Sequence, residues 1–554
     1  MHSSYPGDLA KTVPEEDPVG WGPRRRWVGV GILLVAATGV YSIRLNAPFT
    51  SYREDIAAFY GIWAGNYLKY GYTASGFAPI GAFAPRLPGG TPKPHHLYSH
   101  RPPLVTLIMS LSCRLLGPRE LAIRLVGLIF SVLTLAVFLA LSCRILGFLW
   151  GLVASGLFAF TPNFAFYSVA AAHETFGVLG GLIIYLGYLC WRGNPRPRTL
   201  AFFLVASLFA CWFDWPAYYA AGGVGVLHLL KSAGKRWMGI LPVGCAVMAF
   251  MIFLGYLYVL DPEGLEPLRD LFSTGLHHSA PVGIGTYLSA HFREAIRWFT
   301  IPLLVLAAGG VTRLRPRSSL SDAVILSMVI LGADAVLFMN VTFGHLFMTM
   351  PLVPFAALSG ARGLRLLVRN PRVRWSVPFV LLAFLGQAAV TLHRAHTNAR
   401  FPYYMEMSHA LARALAAHTA PQDRCLVMAY HQPAVAYFYT GRELAHYLVS
   451  PPMIEILYDR RVENGVDEES LVRRLSRDDH GFAWFITTNY SLASGVVPSL
   501  RLLASQVPDP DSFARERYFF EGQKKVGKLS EFLRKRYHVE MKDGFIFYDL
   551  RRPR

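Results

Sequence analysis

Long stretches without a single charge constrain this chain more than any other feature. WVGVGILLVAATGVYSI follows Arg26, LVGLIFSVLTLAVFLALSC follows Arg124, and MGILPVGCAVMAFMIFLGYLYVL precedes Asp261. A helix needs about 20 such residues to cross the bilayer core. In lipid the backbone must satisfy its own hydrogen bonds within the segment, so runs of this kind become helices. Only 16% of the 554 residues are charged, against about a quarter in soluble domains. The pattern predicts an all-α polytopic membrane bundle of about 11 spans, near 27–43, 121–142, 148–170, 175–191, 199–213, 216–230, 237–260, 297–312, 321–340, 345–361 and 375–392. The first run is not read as a cleavable signal, because no small-residue cleavage pattern follows it and further spans do.

A formal charge of +19 would suit nucleic acid if it were concentrated on one soluble surface. It is instead parcelled into short loops on alternate sides. One set holds Arg24 to Arg26, Arg144, Arg192/Arg196/Arg198, Lys231/Lys235/Arg236, Arg313/Arg315/Arg317 and Arg362 to Arg374. The short loops of the other set, 171–174, 214–216 and 341–344, hold no Lys or Arg. The positive-inside rule then puts the N-terminus in the cytoplasm of a multi-pass cell-membrane protein. An odd number of spans puts the C-terminal segment outside. Nucleic acid is excluded as a partner, and the bilayer is the implied one.

Residues 1–22 are polar and acid-containing and read as a disordered cytoplasmic tail; residues 23–392 read as the membrane domain. Its first external loop, 44–120, begins with an aromatic helix, FYGIWAGNYLKYGY, expected to lie at the membrane interface. Segment 77–99 is rich in Gly and Pro and reads as irregular, and PPLVTLIMSLSCRLLG reads as a juxtamembrane or half-inserted helix. A later external loop, 261–296, carries DPEGLEPLRD and His277-His278. Residues 393–554 are far more charged and read as a small extracytoplasmic α/β domain, with strands DRCLVMAY, GFAWFITT and GFIFYDL and helices HALARALAAH and SLVRRLSR. The six cysteines show no metal or disulfide spacing and read as small buried apolar residues.

Candidate chemistry gathers on the outer face. Asp55 and Glu54 follow the first span directly. Partial shielding would raise the pKa of Asp55 toward general-base duty; a helix N-cap accounts for the same residue equally well. Glu54 would tune it by like-charge repulsion. Arg101 precedes two prolines that hold its backbone extended, and its fork suits phosphate. His95, His96 and His100, with Glu54 or Asp55, leave a divalent metal open as a cofactor, although their spacing fixes no metal geometry. His173 and Glu174, Asp214 and His345 occupy short external loops. Asp334 sits inside a span, where a charge is costly and functional by default. Nucleotide-binding glycine loops are absent.

The chain resembles the C-type superfamily of integral-membrane glycosyltransferases (GT-C), which includes protein O-mannosyltransferases and aminoarabinose lipid A transferases. Four segments carry the resemblance across about residues 27–365: REDIAAFYGIWAGNYLKYG, SHRPPL, LLGPRELAIRLVGLIFSVL and PNFAFYSVAAAHETF. The resemblance implies Asp55 as catalytic aspartate, and Arg101 and His345 as contacts to the phosphate of a polyprenyl-phosphate sugar donor. It places Glu174 where many members have Asp; Glu54, His173, Glu174 and Asp214 are read as substrate-pocket residues from their place on the outer face. It puts His100 where relatives hold an acidic metal ligand. The expected reaction is inverting transfer to a hydroxyl of a lipid, glycan or protein on the extracytoplasmic face. The competing classes are a lipid or solute transporter, against which the missing internal repeat counts, and a non-catalytic scaffold.

Overall fold

The apolar runs fold as helices, broken where proline or glycine interrupts them. The computed structural model describes residues 22–51, 54–83, 94–170, 173–231, 236–260, 265, 268–269, 284–312, 314, 318–344, 346–397, 402–428, 433–442, 444–446, 482–488 and 533–554. The described helices begin with α1 (Pro23–Tyr41), α2 (Asp55–Tyr70), α3 (Leu104–Leu116), α4 (Glu120–Leu146), α5 (Phe148–Phe160), α6 (Pro162–Tyr167), α7 (His173–Gly193), α8 (Pro197–Ala210) and α9 (Trp215–Lys231). They continue with α10 (Ile240–Leu260), α11 (Ile284–Trp298), α12 (Ile301–Val311), α13 (Ser319–Gly344), α14 (Val353–Arg369), α15 (Val377–His396), α16 (Pro402–His418) and α17 (Pro433–Thr440). Two compact units result: Met1–Ala47 with Ser99–Thr397, and Pro48–Tyr98 with Asn398–Arg554. Residues 48–98 of the first loop therefore share a unit with the C-terminal segment.

Among the described residues of the first unit, five helical stretches are long and apolar enough to cross a membrane: Glu120–Leu146, His173–Gly193, Arg236–Leu260, Met348–Arg369 and Arg374–His396. The pair Leu288–Trp298 and Ile301–Val311, bent by 106°, makes a sixth if counted as one span. The remaining expected spans also meet helices, with one difference: 148–170 is broken into α5 and α6. Thr161 is extended, at φ −65° and ψ 126°, because Pro162 disfavours helical geometry in the residue before it. Helix α3 has 13 residues, about 20 Å of rise, too short to span.

Buried ions fix how these helices meet. Arg124 on α4 is 1% exposed. It donates through Nη1 to the carbonyls of Arg44, at 2.7 Å, and of Ala47, pinning the chain where it leaves α1. Asp322, in the first turn of α13, is held by Arg192 Nη1 of α7 at 3.1 Å and by Lys231 of α9. All six cysteines are free.

The second unit is built around α2 and a mixed sheet. Strands β1 (Ile80–Phe83) and β2 (Pro94–Leu97) pair antiparallel, with Ile80 opposite Leu97, so part of the segment expected to be irregular is a β-ribbon. Strands β3 (Arg424–Met428), β4 (Leu444–His446), β5 (Phe482–Thr488), β6 (Tyr537–Lys542) and β7 (Phe545–Pro553) form one sheet in the order β4-β3-β5-β7-β6. β3 runs parallel to β4 and β5, while β7 is antiparallel to β5 and β6. Asp543 and Gly544 turn the β6–β7 hairpin with φ of 51° and 81°, the positive pair that a two-residue hairpin requires. The three strands read from sequence are β3, β5 and β7, and HALARALAAH lies in α16. The 1–21 part of the expected tail, SLVRRLSR, DPEGLEPLRD taken whole, and His277-His278 lie outside the described residues. Helix α2 is buried on most of its faces rather than presenting one side to an interface.

Breaking a buried ion cluster by removing the shared partner costs about 3–5 kcal/mol. Asp322→Ala would leave Arg192 and Lys231 facing each other, and it is expected to lower the melting temperature in detergent by roughly 5–10 °C. An unchanged melting curve would show the cluster to be dispensable.

Candidate functional site

Arg101 stands in the turn before α3, whose first turn is closed on Pro103 by the Leu107 N–H at 3.0 Å and the Thr106 hydroxyl at 2.8 Å. Its guanidinium is a bridge. Nη1 donates to Asp214 Oδ2 at 3.0 Å, and Nη2 donates to Glu174 Oε1 at 2.8 Å. The arginine side chain is 14% exposed, and the two carboxylates are 2% and 4% exposed. Glu174 is in the first turn of α7, and Asp214 immediately precedes α9. At their other ends the same two helices share Asp322 through Arg192 and Lys231. The two helices therefore run parallel, side by side, for about 30 Å of helix. Their close approach needs Gly177: a Cβ there would lie 2.9 Å from Pro216 Cγ and 3.2 Å from Asp214 Cβ. Trp215 Nε1 donates to the His100 carbonyl at 3.0 Å, which fastens the Arg101 turn to the start of α9.

One guanidinium against two carboxylates leaves a net charge of −1 in a buried place. The positive N-terminal ends of α7 and α9 offset part of it. For Asp214 the cost of burial outweighs the attraction of Arg101, and Glu174 adds repulsion, so its pKa is pushed up from 3.8 to about 7. His173, one residue before Glu174, is fully buried. An apolar cleft begins one turn along α7, lined by Gly177, Gly181, Pro216, Leu326, Pro354 and Phe355.

Asp55 belongs to the second unit. It is the first residue of α2 and 5% exposed. Its neighbour Glu54 holds the N-cap position and closes the turn before it: the Ser51 N–H donates to the Glu54 carboxylate, and the Glu54 N–H returns a bond to the Ser51 carbonyl at 3.3 Å. The N-cap reading of Asp55 gives way to a carboxylate in the first helical turn, where the helix dipole favours its charge.

No family model matches the sequence, and no curated protein matches it. The likeness is one of structure: the ArnT of Cupriavidus metallidurans, bound to undecaprenyl phosphate, superposes with a TM-score of 0.59 at 12% identity, over 84% of this chain and 94% of that one. The chain has the fold of that ArnT structure. The same ArnT in its apo state superposes at 0.56 and 12% identity, covering 85% of this chain and 95% of that one.

Within this fold the expected site residues separate into groups. Arg101, Glu174 and Asp214 come together, with His100 and His173 beside them in the chain. Glu54 caps α2. His345 lies outside the described residues. Asp334 lies in α13, and His95 and His96 lie in β2; their side chains fall outside the described part. Among the described residues no three His, Cys, Asp or Glu side chains form a set able to hold a metal ion. Sequence reading missed Asp322. Its signal was an acid in the first turn of an apolar helix that follows a basic loop.

The raised pKa of Asp214 has a sign that can be checked. Between pH 3.8 and about 7 the folded protein holds a proton that the unfolded chain releases. Stability from this group is full at acid pH and is lost as the pH rises through about 7. In detergent, Asp214→Asn should flatten the decline of melting temperature with pH across this window. The same slope in both proteins would refute the assignment.

Proposed function

We propose that this chain is a membrane glycosyltransferase that moves a sugar from a polyprenyl-phosphate donor to a hydroxyl of a lipid, glycan or protein. The observation that carries the reading is Arg101, held by Glu174 and Asp214 at the starts of α7 and α9, with an apolar cleft beginning one turn along α7, within a GT-C fold. Such a site suits an amphiphile with an anionic head and a hydrocarbon tail, and the ArnT structure that the chain resembles is bound to undecaprenyl phosphate.

Arg101 would take the donor phosphate. Protonation of Asp214 near neutrality weakens its hold on the guanidinium and lets phosphate oxygens replace it. Asp55 would act as general base. It accepts the proton of the acceptor hydroxyl while that oxygen bonds to the anomeric carbon. The bond from that carbon to the phosphate oxygen breaks with inversion, and polyprenyl phosphate leaves as a stable anion. That anion needs charge stabilisation rather than a general acid. In this reading the chain crosses the membrane about 11 times, with its N-terminus in the cytoplasm and Asp55 and the C-terminal segment outside.

The test uses the full chain in lipid vesicles with undecaprenyl-phosphate-linked mannose, aminoarabinose or a uronic acid, plus a cell-envelope extract as acceptor. Mass spectrometry reads released undecaprenyl phosphate and glycosylated product. Asp55→Asn is expected to lower turnover by about 10²–10⁴-fold while undecaprenyl phosphate still binds. Arg101→Lys, which cannot reproduce the fork, should weaken that binding. Full turnover by Asp55→Asn would sink the base assignment, and movement across the vesicle without a covalent product would mean transport.

A further inference from the structure

We infer that the C-terminal segment is the positioning element of the Asp55 helix, acting through α17 and His409; the inference rests on Asp55 as general base. All the contacts concerned lie within the second unit. Phe49, two residues before Ser51, is fully buried. Its backbone is gripped from both sides: the Phe49 N–H donates to the Tyr439 hydroxyl at 2.9 Å, and His409 Nε2 donates to the Phe49 carbonyl at 3.1 Å. The rings of His409 and Tyr439 lie 4.9 Å apart, and the Phe49 ring packs on Phe438 at 5.0 Å.

The grip continues along α2. Phe438 seats against Gly61, where a Cβ would come within 2.6 Å of Phe438 Cδ2. Further on, the buried Asn66 donates to the carbonyls of Ile80 and Gly81, both at 2.8 Å. The Tyr437 hydroxyl lies 3.2 Å from the same Gly81 carbonyl and 3.4 Å from Asn66 Oδ1. Three consecutive aromatic residues of one short helix therefore meet the approach to α2, its second turn and its fourth turn together with β1. These partners are 356 to 390 residues apart in the chain, which rules out a local folding motif. The same approach carries the Ser51–Glu54 turn that leads directly into Asp55. A base displaced by about 1 Å costs on the order of 10²-fold in rate, so a clamp on this segment acts on turnover and leaves donor affinity alone.

The experiment uses the reconstituted full chain with the undecaprenyl-phosphate sugar that the wild type turns over. Hydrogen exchange of residues 54–60 is read alongside kcat and donor KM. Tyr439→Phe, His409→Ala and Gly61→Ala are each expected to speed exchange in 54–60. Each should lower kcat by about 10–100-fold, with KM within about twofold. His409→Gln, which can still donate to the Phe49 carbonyl, should retain most of kcat. Phe438→Leu placed on Gly61→Ala relieves the clash and should recover turnover, which general loss of stability would not allow. Unchanged exchange, or unchanged kcat despite faster exchange, would overturn the clamp. A fully active Asp55→Asn would instead overturn the base assignment, and the exchange result would still report whether α17 orders α2.

Discussion

Two carboxylates at the starts of parallel helices meet on the guanidinium of Arg101, and much of the first unit follows from that bridge. Lipid tails are as apolar as leucine, so they supply little force that sets helices in one register. Small residues that admit close backbones, and polar groups that must find partners, supply it instead. Gly177 provides the first at the α7–α9 contact. Arg101 provides the second at one end of the pair, and Asp322, with Arg192 and Lys231, provides it at the other. The clusters are separated by about the thickness of a bilayer core. Each is costly to bury and costly to break, which makes the pairing of α7 with α9 specific.

The same bridge gives the site its chemical character. It keeps a cation in a buried place, pre-aimed by its acids rather than by solvent. It also holds an acid whose charge is only marginally favoured, because Asp214 loses more by desolvation than Arg101 returns. A site in that balance can exchange a carboxylate for another anion without a large net penalty. Bulk water would level both effects.

The second unit shows how a chain of this length divides labour between neighbouring residues. Glu54 and Asp55 look interchangeable in sequence. In the fold, Glu54 spends its carboxylate on the Ser51 backbone, while Asp55 opens the helix. The helix they begin has the composition of an interfacial amphipath, yet it is buried on most faces under β1 and α17. Its aromatic residues serve packing there: Trp63 stacks on Tyr98 with centroids 4.1 Å apart.

The helical membrane unit, most helix boundaries (those of 148–170 and 345–361 excepted) and the strands β3, β5 and β7 were legible in the sequence. Each follows from local rules: lipid forces a backbone to bond within its own segment, and alternation or apolar runs mark strands. The residue types of the site were legible too, since acids and an arginine in short loops of an apolar chain stand out. Their pairing was not. Arg101 reaches partners 73 and 113 residues away, and α17 reaches α2 across more than 350. No periodicity records such meetings. They are decided by which helices pack closely enough for a guanidinium to span them, and only the tertiary structure sets that distance.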